Sequence, residues 1–233
     1  MRLNRYIASS GFCSRRKADL LIEEGRVKVN DKVAQVGLEV NENDIVKVDD
    51  KKIKVKENKV YYMLNKPKGY LTANSDEKRK VVTSLVRVRE RIFPIGRLDY
   101  DTEGLLILTN DGDLFNRLIH PRAEVFKKYY VVVKGTVPEE ELKKMEKGIF
   151  IREDKHRTLP CNIENINYEK ELTTLEMSIR EGRKRQIRRM FSSIGYDVIY
   201  LQRIAIGNIK LGDLPLGKFR RLTDREINYL EKL

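Results

Sequence analysis

The sequence predicts an α+β fold in two parts: a small helix-helix-sheet module over residues 1–58, then a larger domain over residues 60–233 whose mixed, mostly antiparallel sheet is flanked by helices. Three observations carry this. β-type runs outnumber helical ones and do not alternate strictly with them, which argues against a doubly wound sheet. The helical periodicity that opens the chain gives way to short β-type runs before residue 50. Lys51 to Lys59 then holds five lysines in nine residues, so the boundary is placed near Lys59.

Leu3, Tyr6 and Ile7 recur at helical spacing until Ser10-Gly11 stops them. Ser14 suits the N-cap of a second helix with Ala18, Leu21 and Ile22 inward and Gly25 at its end. Short strands are predicted at Arg26 to Val29, Val33 to Val36 and Ile45 to Val48, separated by Asn30-Asp31 and Asn41 to Asp44. In the larger domain, strands are predicted at Val60 to Leu64, Leu105 to Thr109, Tyr129 to Lys134, Leu172 to Ile179 and Val198 to Arg203. Helices are predicted at Asp113 to Ile119, Pro138 to Lys147, Arg185 to Ile194 and Asp224 to Leu233. The first of these strands runs into the turn Asn65-Lys66-Pro67-Lys68-Gly69.

Apolar residues make up 40% of the 233 residues and charged residues 36%, which fits a globular protein with a heavily charged surface. Lysine and arginine outnumber carboxylates by 48 to 35, giving a net charge of +13 and a pI near 9.6, so the molecular field attracts polyanions. Cys13 and Cys161 lie far apart, and neither clusters with His120 or His156, which argues against a zinc site or a disulfide framework. No apolar signal segment or membrane span is legible, and a cytoplasmic protein without membrane partners is expected.

Ser14-Arg15-Arg16-Lys17 places three cations in the first turn of a helix, where the macrodipole favours anions. A phosphate backbone would offset that arrangement, and Arg26 and Lys28 could extend the same face. An ordinary solvated basic face is the alternative. Through the string RLNRYIASSGFCSRRKADLLIEEGRVKVNDKV, residues 1 to about 58 resemble the small S-four-like RNA-binding module. The resemblance implies RNA contact by Arg15, Arg16 and Lys17; it names a partner class and no reaction.

Gly96-Arg97-Leu98-Asp99-Tyr100-Asp101-Thr102-Glu103-Gly104 sets three carboxylates within five residues, just before an apolar strand. Acids are unexpected in a polyanion-binding protein unless they do chemistry, bind a metal or cap local turns; a metal would need more donors, so none is expected. A second string, Arg180 to Arg189, holds six basic residues in ten and enters a helix with Ile187, Met190, Phe191 and Ile194 inward. Most of those cations suit solvent or phosphate, and one near the acidic loop would keep a carboxylate ionised.

Both strings resemble the bacterial pseudouridine synthases of the RsuA and RluB type, through GRLDYDTEGLLILTNDG, Lys66-Pro67-Lys68-Gly69 and Arg183 to Phe191, over residues 60–233. The resemblance implies Asp99 as the catalytic aspartate, Tyr129 as the active-site tyrosine, with Tyr130 as its adjacent competitor, and Arg188 as the basic partner of Asp99. It implies isomerisation of a uridine in ribosomal RNA, most of all large-subunit 23S RNA within a pre-ribosomal particle, by a monomer needing neither cofactor nor metal. Small-subunit 16S RNA, a non-catalytic assembly factor and a base-excising glycosidase are the competing readings. Lys66, Arg97, Arg183, Lys184, Arg185 and Arg189 are expected on RNA, with Arg97 placed to fill the gap left by an extruded base.

Overall fold

The computed structural model of the chain describes residues 1–55, 58–119 and 125–233, without the side chains of Ile119 and Asp154. Lys56 and Glu57 of the lysine-rich stretch, and His120, lie outside the described residues. The chain divides into two units: residues 1–60 with 88–92 and 109–112, and the remainder.

In the first unit, α1 (Leu3–Ser9) and α2 (Arg15–Glu23) bury Leu3, Tyr6, Ile7, Ala18, Leu21 and Ile22. The Ser14 hydroxyl accepts from the Lys17 N–H at 3.2 Å, so α2 starts at its capping residue. Four short antiparallel strands follow, β1 (Val27–Val29), β2 (Lys32–Val33), β3 (Val46–Val48) and β4 (Lys51–Ile53), in the order β2-β1-β3-β4. Val27, Val46 and Val48 close the core against the helices, each aliphatic side chain contributing about 1.5–3 kcal/mol. Two hairpin loops are two-residue turns at positive φ without glycine: Asn30-Asp31 (50°, 63°) and Asp49-Asp50 (46°, 60°). Asn and Asp tolerate that region better than other side chains. The segment after the strand at 103–109 joins this unit because the Asn110 carboxamide accepts from Val60 N–H at 2.9 Å and donates to Asn58 O at 3.0 Å.

The second unit is built on a nine-stranded sheet. In chain order its larger elements are β5 (Tyr61–Lys66), β6 (Phe93–Ile95), β7 (Glu103–Thr109), α3 (Gly112–Ile119), β8 (Lys127–Lys134) and α4 (Glu139–Glu146). The hairpin β9 (Phe150–Ile151) and β10 (His156–Arg157) stands apart. Next come β11 (Asn162–Glu169), β12 (Leu172–Ile179), α5 (Gln186–Ser193), β13 (Asp197–Ile206), β14 (Ile209–Lys210), β15 (Phe219–Arg221) and α6 (Asp224–Glu231). The main path runs β11-β12-β8-β13-β7-β5-β15, with β6 and β14 added at β7 and β13. Pairing is antiparallel at β11/β12, β12/β8, β8/β13 and β5/β15, and parallel at β13/β7. The α+β architecture with a mixed sheet is the one the sequence predicts.

Alternation along β8 buries Tyr129, Val131 and Val133 on one face and leaves Lys128, Tyr130 and Val132 half-buried on the other. Ile187, Met190 and Phe191 of α5 are buried, as the helical spacing anticipates. The parallel contact has a backbone requirement: Gly104 sits at φ +106°, and a Cβ there would collide with the Arg203 backbone. Only glycine lets β7 and β13 approach so closely.

The strand β11, NIENINYE, was not anticipated. It is a polar edge strand with an irregularity near Asn165, a pattern without the apolar alternation that marks strands. It joins β12 through Lys170-Glu171, both at positive φ (45°, 62°). The strands β5, β7 and β13 also run longer than the apolar runs suggested. Among the described residues no helix is long and apolar enough to cross a membrane.

Candidate active site

The acidic loop is held from below by a lysine. Lys66, at the end of β5, is fully buried. Its ammonium donates to Thr102 O at 2.8 Å, Asp99 O at 3.0 Å and Pro67 O at 3.1 Å. Three donors on three carbonyls leave nothing for an outside anion. The expectation of Lys66 on RNA is therefore corrected: its charge shapes the loop that carries Asp99. Burial pushes its pKa down to about 8, against the raising pull of Asp101, Asp99 and Glu103. The loop is further tied by Gly69 N–H to Tyr100 O at 2.9 Å and by the Thr72 hydroxyl to Leu98 O at 2.7 Å. Gly69 takes φ +81° in that turn.

Asp99 and Asp101 share this loop and differ in engagement. Arg185 Nη1 reaches both carboxylate oxygens of Asp101, at 2.8 and 3.0 Å. Arg188 Nε lies 3.3 Å from Asp101 Oδ2, while its Nη2 donates to Asp101 O at 3.1 Å and its Nη1 to Val198 O at 2.6 Å. Burial works to raise the Asp101 pKa, but the Arg185 hydrogen bond and the charges of Arg188 and Arg185 outweigh it and hold the carboxyl below its ordinary value. Burial depresses the Arg188 pKa, with Asp101 opposing. Arg188 therefore forms its ion pair with Asp101 and not with Asp99 as expected, although the charge of Asp99 also acts on it; its two Nη atoms are held on the Val198 and Asp101 carbonyls. Among the described residues, the Asp99 carboxylate makes no hydrogen bond or ion pair.

Asp99 lines a cleft of about 1080 Å³. Tyr129, 9% exposed, lines the same cleft, whereas Tyr130 lies on the opposite sheet face, edge-on to Tyr200 at 6.2 Å. Ile107, Ile179, Leu201 and Ile206 make the cleft apolar, and exposed Arg97, Arg183 and Lys184 belong to its lining. Glu181 organises one wall: it accepts from Gln186 Nε2 at 2.7 Å and Leu159 N–H at 2.8 Å, and lies 3.4 Å from His156 Nε2. The sequence reading missed Glu181 because its role depends on a loop 20 or so residues away.

A second residue escaped notice. Arg203 of β13 lines the cleft, paired across strands with Tyr129.

The remaining expected RNA contacts separate into two kinds. Arg15, Arg16 and Lys17 are exposed and form no ion pair among the described residues. Arg26 is forked onto Asp49 at 2.7 Å and bonded to Glu24 at 3.0 Å, and Lys28 reaches Asp50 at 2.8 Å. Arg26 is exposed and Lys28 half-buried, and each already has a carboxylate partner, so they are not the free extension of the α2 face that was expected. Arg183 Nε is 3.7 Å from Glu181 and Arg189 Nε 3.4 Å from Glu153.

The RNA pseudouridylate synthase family profile matches residues 60–193, and the S4 domain profile matches residues 1–46. The chain is 44% identical over 235 residues to ribosomal large subunit pseudouridine synthase B of Bacillus subtilis (strain 168), spanning 100% of this chain and 96% of that protein. It is 39% identical over 236 residues to dual-specificity RNA pseudouridine synthase RluF of Escherichia coli (strain K12), spanning 100% and 79%. A crystal structure of a pseudouridylate synthase aligns with a TM-score of 0.72 at 30% identity over 99% of each chain.

Proposed function

Because this chain belongs to the RNA pseudouridylate synthase family and carries an S4 domain, we propose that it converts a uridine of large-subunit ribosomal RNA into pseudouridine, with Asp99 as its catalytic carboxylate. One observation carries the site assignment. Of the two aspartates in the loop, Asp101 is consumed by two arginines while Asp99 faces the cleft with its carboxylate unengaged. A nucleophile or base must be available in that way.

Isomerisation breaks the N1–C1′ bond, rotates the base, forms C5–C1′ and moves the C5 proton, with atoms balanced and no electrons exchanged. Asp99 either attacks C1′ or removes the C2′ proton. Tyr129 stacks on the ring and assists loss of the C5 proton. Arg97 fills the stack that the base has left, while Arg185 and Arg188 position the loop through Asp101. The large subunit is favoured by the 44%-identical relative of that name. We take the protein to act as a monomer, and the two unpaired cysteines fit a reducing cytoplasm.

Pseudouridine mapping across ribosomal RNA, with and without the gene, tests the target. Asp99→Asn should abolish product at that site and leave RNA affinity within about a few-fold. Substantial turnover by this variant sinks the assignment, and a site in small-subunit RNA overturns the choice of subunit.

A further inference from the structure

Arg203 is a buried cation of the cleft that the reaction above does not use. It is 4% exposed. Its backbone is fixed by Tyr129 on one side and Gly104 on the other. Nε donates to Leu105 O at 2.8 Å, while Nη2 is buried without a hydrogen-bond partner. A guanidinium keeps its charge in a protein, and a buried donor left unmade costs about 1–3 kcal/mol.

Its surroundings do not neutralise it. Lys127 has its pKa depressed by burial and then by Arg203, and Arg203 also opposes the charge of buried Lys66. Among the described residues no carboxylate forms an ion pair with Arg203. What Nη2 lacks is a hydrogen-bond acceptor.

Resting on the reading of this cleft as the uridine site, we propose that Arg203 donates to a carbonyl oxygen of the extruded uracil. Depth and shape favour the ring over a phosphate. Exposed Lys184 is available to phosphates, whereas Arg203 is buried beside Tyr129 in a cleft lined by Ile107, Ile179, Leu201 and Ile206, where a planar ring fits. Uracil offers two carbonyl acceptors. Cytosine keeps O2 and carries an amino group in place of O4, so a contact to O4 makes the donor-only guanidinium a selector of the base, whereas a contact to O2 makes it a positioning group.

The test uses a ribosomal RNA fragment containing the mapped target, with that uridine replaced by 2-thiouridine or 4-thiouridine, sulfur being the weaker acceptor. Wild-type protein should lose about 10- to 100-fold in kcat/KM on one of the two thio RNAs. In Arg203→Met and Arg203→Leu that penalty should shrink at least about tenfold. Rates compared within one protein do not depend on how much of it is folded, and the wild-type arm needs no variant. No penalty in the wild type, or an undiminished one in both variants, overturns the proposal. So does a flattened salt dependence of binding with the thio ratio unchanged, which would place Arg203 on a phosphate. Absence of pseudouridine from RNA treated with the wild type strikes the functional reading instead, and mapping settles that first.

Discussion

The cations at 15–17 and those at 183–189 read alike in the sequence and are used in opposite ways. The first three stand in solvent without ion pairs among the described residues. In the second run, Arg185 and Arg188 are locked onto one aspartate, and Arg188 is additionally anchored on a backbone carbonyl. Free surface cations act through counterion release, which is salt-dependent and indifferent to chemistry. Interlocked cations fix geometry, and their loss leaves a half-buried partner uncompensated. Density of charge alone therefore does not separate grip from architecture.

The contrast breaks most sharply at Arg188. Arg188→Leu should lower kcat at least about 100-fold with RNA affinity within a few-fold, since what it removes is loop geometry. It should also raise the Asp101 pKa, read by carboxylate NMR, because a lowering charge is gone. A change confined to KM would place Arg188 with the surface cations.

Lys66 sharpens the comparison from the interior. Its pKa in the folded protein is lowered to about 8, against an unfolded value of about 10.4. Between those values the unfolded chain binds more protons, so this group makes stability rise with pH through that window and contributes no slope below it. Relative to Lys66→Met, wild-type stability in urea should climb by at most about 3 kcal/mol from pH 8 to 10.5. Parallel curves would mean that the ammonium is not held in a desolvated site.

Replacing Arg15, Arg16 and Lys17 together by Ala should have a smaller effect: KM up by about tenfold, kcat little changed, and the slope of log K against log salt reduced by about 2–3. Steady-state kinetics at two salt concentrations measure all three. A fall in kcat as large as that of Arg188→Leu would show that the module orients the substrate as well as holding it.

Local signals were the legible ones. Ser14 announced α2, periodicity announced α5, and the motif around Asp99 marked the loop that the structure sets into the cleft. Partnerships were not legible. Arg188 and Asp101 are 87 positions apart, and nothing in either string says which of two neighbouring aspartates an arginine will meet. Lys66 looked like a surface cation because a lysine beside a proline turn usually is one; only the carbonyls gathered around it explain its burial. β11 stayed hidden because an edge strand needs few apolar side chains once its partner supplies the hydrogen bonds.

The turn at Lys170-Glu171 bears on how heat-tolerant this protein could become. Two long side chains occupy left-handed positions that cost L-residues roughly 1–2 kcal/mol each, in a hairpin whose register, Glu169 opposite Leu172, is already set by its neighbours. Installing Asn-Gly there keeps the backbone and removes much of that expense, so the melting temperature should rise by about 2–4 °C per kcal/mol recovered. Calorimetry on Lys170→Asn/Glu171→Gly measures it, and an unchanged melting point would mean that these two residues sit in the turn without penalty. Natural selection has left this margin unclaimed at a site remote from every group assigned to the chemistry, which makes it a place where an engineer can add durability without touching turnover.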